Sequence, residues 1–173
     1  MPRQTISATL EGTDRRSIGR ADEVARLVLR EPRRFRLLFT CLWDENPVLR
    51  MRAADAVEKV SAKKPRLLDR HKPELLGLLA EAEQIELRWH LSAMIPRLRL
   101  TDPERLRAAA ALRRYLDDRS SIVKTFALQG LVELARNHAG LRGKVKQLLE
   151  DAVQSGTPAM KARARELLKT HPG

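Results

Sequence analysis

Apolar residues recur along the chain at intervals of three and four, a spacing typical of amphipathic α-helices. They predict a first helix over 20–30, with Val24, Leu27 and Val28 on its apolar side. After it the pattern predicts helices in pairs, with a further short helix over 65–70. The first helices of the pairs are predicted over 33–43, 73–82, 103–117 and 142–154. The second helices are predicted over 47–62, 85–98, 120–137 and 158–169.

Residues that favour helix starts lie where these helices are predicted to begin. Three second helices follow an N-capping residue or a proline, at Asn46-Pro47, Ser120-Ser121 and Thr157-Pro158. Residues 1–19 are polar, with several Thr, Ser and Gly. They predict a flexible N-terminal arm, with a short helical start as the alternative. Residues 20–173 are predicted to form one domain.

One nine-residue pattern occurs four times, starting at Leu49, Leu87, Val123 and Met160. The starts are 38, 36 and 37 residues apart, a near-constant period that is typical of helical repeat arrays. The composition agrees, because only 3% of the residues are aromatic while Leu, Ala and Arg are abundant. An all-α fold is therefore predicted.

The repeated pattern resembles the second helix of HEAT repeats, as found in small bacterial-type HEAT-repeat proteins. Asp44 lies six residues before Arg50 and Asp118 six before Lys124, as the Asp and Arg of that family do. The other two copies have Ala82 and Ser155 there, so the Asp–Arg ladder of the family is expected to be partial. The resemblance implies a right-handed α-solenoid of about four helix pairs with an N-terminal capping helix. The repeats would cover about 32–62, 65–99, 102–138 and 141–170.

The resemblance also implies a function in binding, since HEAT folds serve as scaffolds, transport adaptors and nucleic-acid binders. A helical wheel of the second helices places one set of residues opposite the core, on the expected concave wall. Our first hypothesis is a non-enzymatic adaptor that holds a segment of a protein partner there, through Met51, Trp89, Leu128 and Val132. The alternative for Trp89 is packing, either sideways on a neighbouring repeat or beneath the N-terminal arm. Trp43 and Cys41 are expected in the core.

The positive charge, +12 with an isoelectric point near 10.8, is concentrated in the connections between helix pairs. Segments 30–36, 59–72, 97–107 and 136–146 contain 18 Lys and Arg against 4 Asp and Glu. In a solenoid these segments share one rim, which is either a solvated edge or a surface for sequence-independent nucleic-acid binding. The candidate residues on this rim are Arg33, Arg34, Lys63, Lys64, Arg66, Arg142, Lys144 and Lys146.

Residues that would support catalysis or metal binding are sparse. Cys41 is the only cysteine, which excludes an intramolecular disulfide and a multi-thiolate metal site. The four histidines are scattered, and no glycine-rich phosphate loop occurs, so no metal, no cofactor and no enzymatic activity are expected. Some HEAT-like proteins are DNA glycosylases that use an Asp on a basic concave wall, which makes Asp55 the basis of a minor alternative. Without an apolar span or a signal segment, a cytoplasmic location is expected.

Overall fold

The computed structural model describes residues 5–14 and 16–171. Helices make up 81% of the structure, and the described residues contain no strand. The predicted all-α fold class is therefore confirmed.

Ten α-helices are present in the described part of the chain, with short 3-10 turns between some of them. The helices are α1 (Ile6–Leu10), α2 (Ala21–Arg30), α3 (Phe35–Thr40), α4 (Pro47–Lys63), α5 (Lys72–Glu81), α6 (Ile85–Met94), α7 (Asp102–Tyr115), α8 (Ser121–Arg136), α9 (Ala139–Ser155) and α10 (Pro158–Thr170). The 3-10 turns cover Pro32–Arg34, Cys41–Trp43, Pro65–His71 and Ile95–Arg97.

The helix starts follow the capping signals in the sequence. The side-chain oxygens of Asn46, Ser120 and Thr157 each accept a hydrogen bond from a backbone amide in the first turn of the following helix. Thr101 forms a capping box with Glu104 at the start of α7. Each of these contacts satisfies an amide that has no partner within its own helix, which fixes where the helix begins.

Two predicted helices are interrupted near their ends. The helix predicted over 33–43 has only its middle, α3, in α-helical form, and both ends are 3-10 turns. The helix predicted over 85–98 leaves the α-helical form after Met94, because Pro96 has no amide hydrogen for a bond within the helix.

The chain divides into two compact units, Met1–Lys72 and Pro73–Gly173. In the first unit α4 lies at the centre and packs against α1, α2, α3 and the turn Pro65–His71. Its core contains Val28, Leu38, Leu42, Val57 and Leu68, none of which is exposed.

The N-terminal segment, here residues 5–14 and 16–20, is part of the first unit's core packing. Ile6 and Leu10 on α1 are buried. The guanidinium of Arg52 on α4 donates hydrogen bonds to four carbonyl oxygens of the segment, those of Leu10, Glu11, Asp14 and Ser17. This arrangement differs from the flexible arm predicted for 1–19, although the short helical start is present. Residues 1–4 and 15 lie outside the described part of the chain.

In the second unit α8 is the central helix, and α6, α7, α9 and α10 all pack against it. Gly130 allows α8 to approach the backbone of α6 closely, since a Cβ built there would lie 2.6 Å from the carbonyl oxygen of Ser92 on α6. Arg88 on α6 donates to the carboxylate of Asp118, just before α8, at 2.5 Å. This ion pair joins two consecutive helix pairs.

Candidate functional site

Three of the four residues predicted on the concave wall are buried. Met51 is 6% exposed, and Leu128 and Val132 are not exposed at all. The expectation that they form an open contact wall is wrong. The reason is that neighbouring elements cover the central helices α4 and α8 on several sides, and a helical wheel of one helix does not include them.

The fourth residue of that wall, Trp89, is half-buried and packs against other aromatic rings. Its ring lies edge-on to His90 at 4.8 Å and to Phe126 at 5.6 Å between centroids. Its indole N–H is shielded from solvent and has no hydrogen-bond partner among the described residues. These contacts favour the packing alternative for Trp89.

Trp43 is more exposed than predicted, whereas the residues of the predicted concave wall are more buried than predicted. It was expected in the core, but it is 47% exposed and contacts Phe39 with one side of its ring. Leu37 on α3 is 58% exposed. The prediction for Cys41 is confirmed, because this residue is buried.

The first unit has a cluster of cations at the end where α2 and α4 finish and α3 begins. Lys64 donates to the carbonyl oxygen of Leu29 at 2.8 Å, which holds the end of α4 against the end of α2. His71 stacks on Phe39 with ring centroids 4.0 Å apart, which places the turn Pro65–His71 beside α3. We call this cluster the basic end, and it consists of Arg30, Arg33, Arg34, Arg36, Lys63, Lys64, Arg66 and Arg70.

Most of the positive charge of the basic end is not neutralised within the protein. Glu31 accepts from Arg34 at 2.8 Å and from Arg33 at 3.3 Å, and the hydrogen bond from Arg34 lowers the pKa of this carboxyl. The Arg33 side chain is nevertheless 80% exposed. Five members of the basic end take no part in the contacts of Glu31 or of Lys64. They are exposed and form no ion pair with a described residue: Arg30, Arg36, Lys63, Arg66 and Arg70.

The rim candidates of the second unit do not form a comparable cluster. Arg142 is half-buried and donates to the carbonyl oxygen of Arg136 at 3.1 Å, so its role is in packing. Lys144 and Lys146 are exposed on α9, but residues two apart on a helix point in directions about 200° apart. Of the eight predicted rim residues, the structure therefore brings together the five in the first unit.

Groups suited to catalysis are not assembled in the described residues. Burial raises the pKa of the Cys41 thiol to about 11, and the thiol donates to the carbonyl oxygen of Leu37, so it is a poor nucleophile. Asp55, the basis of the glycosylase alternative, is buried and paired with Lys59 at 2.7 Å. No three His, Cys, Asp or Glu side chains within the described ranges are placed to hold a metal ion.

Sequence reasoning did not select three members of the basic end, Arg30, Arg36 and Arg70, as candidate residues. All three lie in the segments whose charge it counted, so the charge count was the available signal. Arg52 was also missed, because nothing in the repeat shows that a distant loop surrounds its side chain.

Comparison with models of protein families, with curated proteins and with solved structures found no match to this chain. The resemblance to HEAT repeats therefore depends on the residues of the chain alone. None of the helices in the described residues is long and apolar enough to cross a membrane.

Proposed function

We propose that this protein binds nucleic acid without sequence preference, through the phosphate backbone, and that the basic end of the first unit is the contact surface. The observation that carries the proposal is the convergence of eight cations on one end of the first unit, where Glu31 is the one carboxylate among the described residues that forms an ion pair with any of them. Side chains of Lys and Arg that contact phosphates position a protein on nucleic acid but do not read bases.

The position of these cations in their helices supports a use outside the protein. Arg33, Arg34 and Arg36 lie at the start of α3, where the partial positive charge of the helix end disfavours cations by a few tenths of a kcal/mol. An arrangement that is locally unfavourable is expected where a bound anion compensates for it.

We further propose that the helix pairs are HEAT-type repeats, arranged as the right-handed solenoid that the resemblance implies. Support comes from the basic residue at the second position of the repeated pattern. Arg50 donates to the carbonyl oxygen of Asp44 and Arg88 to that of Ala82, in each case six residues back. Arg88 also reaches Asp118, which precedes the next copy, as an Asp–Arg ladder requires.

Fluorescence anisotropy with two labelled 20-base-pair DNA duplexes of unrelated sequence, measured between 50 and 200 mM salt, tests the proposal. We expect similar affinities for both duplexes. If about five phosphates are contacted, the slope of log K against log salt is about −4.5. The triple variant Arg36→Glu, Lys63→Glu, Arg66→Glu should weaken binding at least tenfold at 50 mM salt and bring the slope near −2.

The matched control reverses three exposed arginines of the second unit, Arg113, Arg119 and Arg165, and changes the net charge by the same amount. It should bind within threefold of the unmodified protein. Absence of binding at 50 mM salt would overturn the proposal. Equal weakening by both triple variants would also do so, because it would show an effect of total charge.

The adaptor hypothesis in its first form depended on the concave wall, and three residues of that wall are buried. A protein segment would need another surface. For catalysis we propose that the protein has no enzymatic role, since the two groups closest to a reactive arrangement, Cys41 and Asp55, are held in packing contacts.

A further inference from the structure

An open groove of about 300 Å³ lies between helices α5 and α7 of the second unit. The Tyr115 hydroxyl at the end of α7 donates to the carbonyl oxygen of Leu79 near the end of α5 at 2.6 Å. This buried bond ties the C-terminal ends of the two helices together. The groove is lined by Leu76, Leu79, Ala80, Arg107, Ala108, Ala110, Ala111 and Arg114.

The floor of the groove is apolar because its side chains are small or aliphatic. Leu79, Ala108 and Ala111 are buried beneath it, whereas Ala80 and Ala110 are exposed at its surface. The short alanine side chains leave space between two helices that larger residues would fill. The volume is at the lower limit for ligand pockets, so the groove suits a few inserted side chains and not a whole helix.

Two arginines border this apolar floor. Arg107 and Arg114 are seven residues apart on α7, so they lie on one face about 10.5 Å from each other. Neither forms an ion pair with a residue that the structure describes, and both are exposed. An occupant that complements the groove therefore has two negative groups at this separation and apolar side chains between them.

We propose that the groove binds an acidic amphipathic helix of a partner protein. Glu or Asp side chains seven residues apart on such a helix match the separation of Arg107 and Arg114, because the rise per residue is the same on both helices. Aliphatic side chains three and four residues after the first carboxylate then face the alanines of the floor. Such a helix would insert only the side chains of its apolar face and lie over the groove, a mode in which amphipathic helices are bound.

A nucleic-acid backbone is a poorer occupant, since phosphates would leave the apolar floor between the arginines without a partner. The groove and the basic end are separate surfaces in separate units, so the two proposals do not depend on each other. Arginines at an apolar groove are also frequent contributors to binding at protein interfaces.

The probe is a helical peptide of about 17 residues built on Ala and Gln, long enough to be partly helical alone. It carries two Glu residues seven apart and Leu at the third and fourth positions after the first Glu. Titration calorimetry at 50 mM salt should give a Kd of about 100 µM or tighter, as for a small transient interface. Peptides with Gln in place of Glu, or Ala in place of Leu, should each bind at least tenfold more weakly.

The double variant Arg107→Glu, Arg114→Glu should lose at least tenfold in affinity for the peptide, while Arg113→Glu, Arg165→Glu stays within threefold. A second variant, Ala80→Gln, Ala110→Gln, fills the groove without changing charge and should weaken binding as much. It serves in place of the first variant if that one fails to show the helical circular-dichroism spectrum of the unmodified protein.

Three results would overturn this proposal. The first is no binding by the unmodified protein at 1 mM peptide, and the second is equal loss in the two charge-reversed variants. The third is self-association without peptide that the Ala80→Gln, Ala110→Gln variant abolishes, which would assign the groove to a second copy of the chain. The variant of the basic end, with Arg36, Lys63 and Arg66 reversed, should bind the peptide normally and so separates this test from that of nucleic-acid binding.

Discussion

Replacing Arg52 by Met should release the N-terminal segment from the first unit. Met keeps an unbranched apolar stem in place of the arginine stem, but it provides no hydrogen-bond donor. The four carbonyl oxygens that accept from the guanidinium lie 2.5 to 3.3 Å from it, and α1 and the following loop surround the group. No carboxylate among the described residues forms an ion pair with Arg52, so these carbonyls provide its observed compensation.

The size of the loss in stability depends on how many of the four carbonyl oxygens remain inaccessible to water. The bond to Leu10 is buried, and losing the donor there costs about 1–3 kcal/mol. The bonds to Glu11, Asp14 and Ser17 are partly buried, so water replaces the donor and each loss is smaller. The total is about 2–4 kcal/mol. Arg52→Lys keeps the charge but not the planar fork of donors, and it should lose about half as much.

Hydrogen exchange read by mass spectrometry, together with urea unfolding, measures this prediction. A loss of 2–4 kcal/mol in local stability corresponds to about 30- to 1,000-fold faster exchange of amides in the N-terminal segment. Exchange in α8 should be unchanged. The matched control is Arg26→Met, at an exposed position of α2. Unchanged exchange in the segment, with a free energy of unfolding within about 0.5 kcal/mol of the unmodified protein, would refute the reasoning.

Three further predictions concern other parts of the structure. Asp118→Asn should cost about 2–4 kcal/mol in urea unfolding at pH 7, since Arg88 loses its carboxylate. Burial alone would raise the pKa of Asp118, but the Ser120 amide and Arg88 hold this pKa below its usual value. The contribution of the Asp118 carboxylate to stability is therefore complete above about pH 5 and declines as pH falls below 4. A difference in unfolding free energy between the two proteins that grows toward pH 3 would contradict this. Gly130→Ala should lower thermal stability by about 1–3 kcal/mol, whereas Gly143→Ala, with open space around it, should raise it by up to about 1 kcal/mol. Cys41 should react with a thiol reagent at pH 8 about 200-fold more slowly than in the urea-unfolded chain, and equal rates would show that the thiol is accessible.

The helices could be predicted from the sequence because their determinants are local. Asn46, Thr101, Ser120 and Thr157 cap the helices that they precede, and each cap needs only the next three residues. The end of α6 was misplaced because the prediction carried the helix through Pro96.

The exposure of the two tryptophans could not be predicted in the same way. A helical wheel orders the positions around one helix, but the burial of each side chain depends on which other elements pack against that helix. Trp89 is half-buried because His90 and Phe126 lie against its ring. Trp43, in the 3-10 turn after α3, contacts Phe39 and is 47% exposed. Asp118 is a similar case: its six-residue spacing to Lys124 suggested a partial Asp–Arg ladder, but only the structure shows that its carboxylate pairs with Arg88 of the preceding copy.

The net charge of +12 is larger than the positive charge available to a ligand, because some arginines are engaged in contacts within the protein and others are exposed. Arg50, Arg52 and Arg88 donate to carbonyl oxygens or to a carboxylate of the protein itself, so binding a phosphate would break contacts that stabilise the fold. The exposed cations of the basic end have few such contacts to lose. A phosphate can therefore take the place of water and counterions around them at little cost to folding. A salt slope near −4.5 agrees with contacts by the exposed cations of the basic end, whereas a slope near −10 would require phosphate contacts by cations outside it.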